Sequence, residues 1–164
     1  MNAGFTAEYD DAEASKLLGR LSAFCARPVE ATAKVAHVIA ERSRLTFHDQ
    51  ADPWGNPWAA LSPATLAKRR GGGRGGVSIL RDTGQLLASL TDGVAGDEAV
   101  VHIGFSDRPA TIHQFGGQAG RGRKVNIPAR PMLPIRGNTV DLPPSWRDEV
   151  IEVLNASIAA AVSA

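Results

Sequence analysis

The sequence predicts an α+β fold in which N-terminal helices and a long C-terminal helix pack on a small antiparallel sheet, with long Gly/Pro-rich loops. Three observations predict it. Apolar residues recur at helical spacing over residues 11–25, 29–46 and 145–162. Between them, residues 78–128 hold apolar runs of strand length, broken by Asp-Thr-Gly, Asp-Gly and Ala-Gly-Asp-Glu turn signals. The 17 Gly and 10 Pro exceed ordinary usage, which places much of the chain in connections. At 164 residues the chain is long enough for one sizeable core, so a single domain over 1–164 is expected.

Asp10 followed by Glu13 reads as an Asp capping box, and Leu17, Leu18, Leu21, Phe24 and Cys25 then line one helical face. After Pro28, the residues Val29, Ala33, Ala36, Ile39, Ala40 and Phe47 share a face opposite Glu30, Lys34, Glu41 and Arg44. The stretch HDQADPWGNPW then forbids a continuous helix, because X-Pro steps disfavour helical backbone. Its tryptophans, Trp54 and Trp58, are expected to pin the loop to the body. Ser62 with Pro63 starts a short helix over 63–70, closed by Lys68, Arg69 and Arg70. GGGRGG follows, too rich in glycine to hold one shape cheaply.

Strands are expected near 86–91 and 99–104, the second with Val101, Ile103 and Phe105 on one face. DRPATIHQFGG reads as a short helix capped by Asp107 and ended by Gly116, and KVNIP as a further strand. Ser145 caps the last helix, with Asp148 and Glu149 in its first turn and Trp146, Val150, Ile151, Leu154, Ile158 and Val162 along an apolar arc. The long helices are expected to pack on one face of the sheet.

Net charge is +1, yet residues 53–136 carry an excess of basic groups while both flanking segments are acidic. Such asymmetry suits nucleic acid, and equally suits a basic face of one copy meeting an acidic face of another. The N-terminus is acidic where a secretory signal needs a basic start, and no stretch approaches a membrane span. No membrane association is expected.

The residues offer little for bond-breaking chemistry. His37, His48, His102 and His113 fall in different predicted elements with no ligand spacing, so no metal is assigned. Cys25 is alone, which excludes an internal disulfide, and it sits on an apolar helical face where a thiol behaves as a small hydrophobe. No G-x-S-x-G elbow occurs, and Gly71–Gly76 follow a helix without the Lys-Ser/Thr of a phosphate-binding loop. No catalytic residue and no cofactor follow from these residues.

Two segments invite a binding role. KRRGGGRGG, with Arg74, and GQAGRGRK, with Arg121, Arg123 and Lys124, can neutralise phosphates, and a nucleic-acid-binding protein using these Arg/Gly-rich loops is the alternative reading. In PARPML, Pro128 and Pro131 stiffen the backbone, so Arg130 is held at a fixed position suited to a bidentate carboxylate contact.

Taken in order, a set of motifs over about residues 45–135 resembles the phage virion-morphogenesis and tail-completion family, which includes the phage Mu G protein. They are Gln50, Asp52-Pro53, Gly55, Trp58, Leu61-Ser62 and Thr65; Ile79-Leu80, Thr83-Gly84, Leu86 and Ser89-Leu90; Val101 and Ile103-Gly104; Ala110 with His113-Gln114-Phe115-Gly116-Gly117; and Pro128-Ala129-Arg130-Pro131 with Leu133. Pro109 and Met132 stand where aromatics are usual. The resemblance implies a non-enzymatic structural virion protein of the tail or head-to-tail junction, assembled in the host cytoplasm. It implies a homo-oligomeric ring, by analogy with tail terminators a hexamer, acting as tail terminator or neck component. Partners would be other copies, neighbouring connector, stopper or tail-tube proteins, and genomic DNA in the lumen. Subunit or partner contacts are then expected at Trp54, Trp58, Arg74, His113, Gln114, Phe115, Arg121, Arg123, Lys124 and Arg130, with the loops 48–60, 69–78 and 116–125 reaching neighbours.

Overall fold

The spine of the protein is the helix α2, Val29–Asp49, which the computed structural model places between a β-hairpin on one side and the C-terminal helix on the other. The structure describes residues 11–69, 78–95 and 100–163. Helix α1, Ala12–Ala26, precedes α2, and α3, Pro63–Lys68, follows its exit loop. Next come α4, Gln85–Ala88, the strands β1, Leu90–Val94, and β2, Val101–Phe105, and the helix α5, Ala110–Phe115. Strands β3, Gly117–Ala119, and β4, Val125–Ile127, flank a 3-10 turn at Arg121–Arg123; β5, Ile135–Arg136, and β6, Thr139–Val140, lead into α6, Pro144–Ser163.

The described strands form three separate antiparallel hairpins, β1–β2, β3–β4 and β5–β6. In β1–β2, Leu90 pairs with Phe105 and Val94 with Val101, so residues 90, 103 and 105 point one way, toward α2. The fold class is α+β, with two corrections to how the helices meet the strands. Only α2 packs extensively on the β1–β2 hairpin; α6 lies mainly across α2, and α1 lies on α6. The third hairpin falls outside 78–128, at a Gly137-Asn138 turn where Gly137 has φ +60.

Burial on two sides explains which residues of α2 are interior. Ala31, Thr32, Ala36, Ile39, Ala40, Ser43, Thr46 and Phe47 are buried, a broader arc than one apolar face, while Ala33 is exposed. The three hydroxyl groups inside this arc are satisfied by the helix itself. Thr32 donates to the Pro28 carbonyl at 2.8 Å, Ser43 to Ile39 at 2.8 Å and Thr46 to Ser43 at 2.7 Å. Small side chains at 36, 40 and 43 let neighbouring elements approach closely.

Two apolar clusters flank this spine. One joins Phe47, Trp58, Ile79, Leu86, Ala110 and Met132; the other joins Ile39, Trp146 and Val150, with Ile103, Leu142 and Leu154 packed against it. Arg42 Nε donates to Glu149 Oε2 at 2.5 Å and ties α2 to α6 at their half-exposed edge. Met132 is fully buried, its flexible thioether filling space within the first cluster.

Several local expectations are corrected. The run over 86–91 is not one strand: Gln85–Ala88 make a helical turn started by Gly84 at φ +80, and only Leu90 onward pairs. Helix α6 begins at Pro144, a good first-turn residue, so Ser145 is inside the helix and not its cap. Asp107 closes α5 through its backbone carbonyl, which accepts from Ala110 N at 3.1 Å, and not through its carboxylate. Asp10 lies outside the described residues, and the cap position of α1 is Asp11, without a side-chain hydrogen bond. The short helix ends at Lys68, while Ser62 caps it as expected, accepting from Thr65 N at 3.2 Å.

Candidate functional site: a cross-braced junction

The motif residues converge on one structural node, built from the exit of α2 upward. Gln50 ends the helix in a left-handed conformation, φ +55. Its carboxamide Nε2 donates to the Phe47 carbonyl at 2.6 Å and to the Ile79 carbonyl at 3.3 Å, while Oε1 accepts from Ile79 N. Gln50 therefore stitches the helix end to a segment 29 residues further on. The chain then turns around Asp52, whose Oδ1 accepts from Trp54 N and Asn56 N, each at 2.9 Å; Oδ2 accepts from Asn56 Nδ2 at 2.9 Å. Trp58 N donates back to the Gln50 carbonyl at 2.8 Å, so the loop closes on itself. The closure delivers Trp58 into the core, edge-on to Phe47 with ring centroids 5.5 Å apart.

A second carboxamide does the same work on the other side. Gln114, on α5, is buried; its Oε1 accepts from Met132 N at 2.8 Å and Leu133 N at 3.0 Å, and its Nε2 donates to the Leu133 carbonyl at 3.0 Å. Arg130 N donates to the His113 carbonyl at 2.6 Å, and Trp58 Nε1 donates to the Pro131 carbonyl at 3.0 Å. The Arg130 side chain crosses to the Trp58 loop, Nε donating to the Ala59 carbonyl at 2.9 Å and Nη2 to the Ala60 carbonyl at 3.1 Å. Arg130 is thus bidentate, but toward two consecutive carbonyls of its own chain and not toward a carboxylate. A planar guanidinium fork fits that pair as a lysine cannot.

Gly116 lets these segments meet. It ends α5 at φ +73, and a Cβ there would stand 2.9 Å from Ala129 N and 3.1 Å from the Ile127 carbonyl. Only a residue without a side chain fits.

The structure brings Trp58, His113, Gln114 and Arg130 together at this node. Trp54 lies apart, half-buried beneath Arg136, whose Cζ is 4.1 Å from the ring centroid. Phe115 is exposed, as are Arg121, Arg123 and Lys124 on the turn between β3 and β4. Arg74 lies outside the described residues. The sequence pattern placed Asp52 in a turn and Gln50 among the motifs but named a bonding partner for neither, and it gave Arg136 no role. A polar residue beside an Asp-Pro turn at a helix end was the available signal for the first two.

Beside the node lies an open cleft of about 700 Å³, walled by α3, α4, the start of α5 and β4, and lined by His113 and Arg130 among others. His113 Nδ1 is buried without a hydrogen-bond partner among the described residues. Burial, and then the nearby Arg130 charge, hold the His113 imidazole below its ordinary pKa, so its neutral form is favoured. Burial and the Arg69 charge lower Arg130 too, but a guanidinium stays cationic. Among the described residues no group of His, Cys, Asp and Glu can hold a metal ion, and no helix is long and apolar enough to cross a membrane.

Residues 9–158 match the sequence model described as the phage virion morphogenesis family. The chain belongs to that family. The phage virion morphogenesis family thus accounts for the motif order, and membership makes this a virion-associated protein of phage assembly. The Mu-like prophage FluMu G protein 2 of Haemophilus influenzae is 57% identical over 54 residues, which is 33% of this chain and 38% of that protein. The aligned stretch therefore spans less than two fifths of that relative. No solved structure matches the chain.

Proposed function

We propose that this protein is a structural virion component that completes the tail or joins head to tail, as a homo-oligomeric ring in the position of a tail terminator or neck protein. The observation that supports this reading most is how the family motif residues are used. Gln50, Asp52, Trp58, Gln114 and Arg130 direct their polar atoms to backbone groups of their own chain, which rigidifies loops and leaves other surfaces for partners. Trp58 and Gln114 hold the loops in place, while Phe115, Arg121, Arg123 and Lys124 are exposed and Arg130 lines the neighbouring cleft, which leaves these surfaces for contacts with neighbours. Exposed apolar side chains on the terminal helices, Leu18 at 65% and Ile151 at 47% exposure, supply further area for neighbours. A ring requires unlike surfaces to meet head to tail, which the uneven charge along the chain favours.

The test is a phage lacking this protein. Electron microscopy of the lysate is expected to show filled heads and separate tails, or tails of irregular length; normal infectious particles would refute the proposal. A second reading draws on Arg121, Arg123 and Lys124, which are exposed and make no ion pair among the described residues: the turn touches genomic DNA in the lumen, or the chain binds nucleic acid in its own right. Binding to free DNA by the isolated protein, with a steep salt dependence, would favour nucleic-acid binding as its function; weak binding confined to assembled rings favours the lumen.

A further inference from the structure

Among the described residues, the cleft beside the node holds a cation without a counter-ion. Arg130 is only 6% exposed, yet among the described residues its guanidinium meets two neutral carbonyls and no carboxylate. Asp82 and Asp107 also line the cleft, and neither forms an ion pair with Arg130. Buried charges are ordinarily paired, because removing an ion from water costs more than neutral dipoles return. The same wall carries the unpartnered His113 Nδ1. At the rim stands Val125, apolar and 56% exposed. Such a cleft suits an occupant that brings a carboxylate flanked by apolar surface.

The outward face of α6 has that chemistry. Opposite the buried Trp146, Val150 and Ser157, the helix presents Asp148, Ile151 and Glu152. These stand at i, i+3 and i+4, so they form one patch. Asp148 and Glu152 are exposed and make no ion pair with any described residue, in contrast to Glu149, which Arg42 holds. The two surfaces share no residue, so contact between them is heterologous and propagates from copy to copy.

We propose that the Asp148–Ile151–Glu152 face of α6 in one copy docks in the Arg130–His113 cleft of a second copy. This rests on the ring reading above, and it assigns that ring its contact. A carboxylate of the incoming helix supplies the missing counter-charge of Arg130, and Ile151 packs on the apolar rim at Val125. Arg69, which donates to the Ser78 carbonyl, adds positive charge to the same wall.

The test uses the full chain, with sedimentation or light scattering to read its mass. Two variants, Val125→Asp in the cleft rim and Asp148→Lys/Glu152→Lys on α6, alter exposed side chains, and circular dichroism melting checks that each stays folded. Each variant alone is expected to lose the oligomer and run as a monomer. Mixed together, they are expected to regain oligomers, because the lysine helix faces the new aspartate and the unaltered helix faces the unaltered cleft. Should the double lysine variant misfold, Glu152→Lys alone serves. Variants that assemble like the wild type, or a mixture that stays monomeric, would overturn this contact while the ring reading stands. A wild-type chain that is itself monomeric, in solution and in particles, would overturn both.

Discussion

Gln114 and Leu133 are joined by a reciprocal pair of hydrogen bonds: Oε1 accepts from Leu133 N and Nε2 donates to the Leu133 carbonyl, both at 3.0 Å. The carboxamide mimics a strand neighbour and holds the proline-stiffened segment against α5 without a sheet. Because Gln114 is buried, any replacement strands backbone groups that no water replaces. Gln114→Leu is expected to cost about 2–4 kcal/mol, the sum of lost bonds and unsatisfied partners. Gln114→Glu is expected to cost more, since it removes the donor and buries a charge. Urea unfolding measures both.

Arg130 tests whether the fork, and not the charge alone, is what the node uses. Arg130→Lys keeps the cation but cannot meet the Ala59 and Ala60 carbonyls together, so it is expected to lose at least about 1–3 kcal/mol, as for an unsatisfied buried group. Hydrogen exchange is expected to quicken in residues 56–62 in Arg130→Lys as well as in Arg130→Ala. Equal protection in both variants and the wild type would remove Arg130 from this role.

The readable parts of the sequence were those whose signals are local. The 3.6 spacing along 29–46, the Ser62-Pro63 start and the apolar arc after Trp146 all give the helices observed. QLLASL misled because a short apolar run does not distinguish a helical turn from a strand, and Gly84 at positive φ decides between them. The node was legible only as a set of recurrent motifs. Gln50 finds Ile79 29 residues away and Gln114 finds Leu133 19 away, and no local pattern names such partners. Arg130 looked like half of an ion pair because nothing in PARPML shows that two alanine carbonyls wait 70 residues upstream.

Gly116 separates conformational need from mere presence of glycine. Its φ of +73 with ψ near 180 is a region reserved to glycine, and its Cβ site is already occupied by backbone. Gly116→Ala is expected to destabilise by at least about 1–3 kcal/mol from backbone strain alone. Gly93→Ala is the control, because nothing lies within 4 Å of a Cβ there, and thermal unfolding is expected to leave it within about 0.5 kcal/mol of wild type.

His113 makes stability depend on pH in a stated direction. Its folded pKa is depressed, so between that value and the ordinary value of 6.5 the unfolded chain binds a proton that the folded chain does not. The contribution is present in full above the unfolded value and is lost as pH falls through this window. The urea midpoint is expected to drop between pH 7.5 and pH 5.5, and His113→Gln is expected to flatten that part of the profile.

The proposed function requires that this chain be a built-in part of the particle, at the tail or the head-to-tail junction. Quantitative mass spectrometry of purified virions measures this most directly, by the number of copies per particle. The account predicts one small, fixed copy number shared by all particles, as a single ring requires. Absence of the chain from purified particles would contradict it.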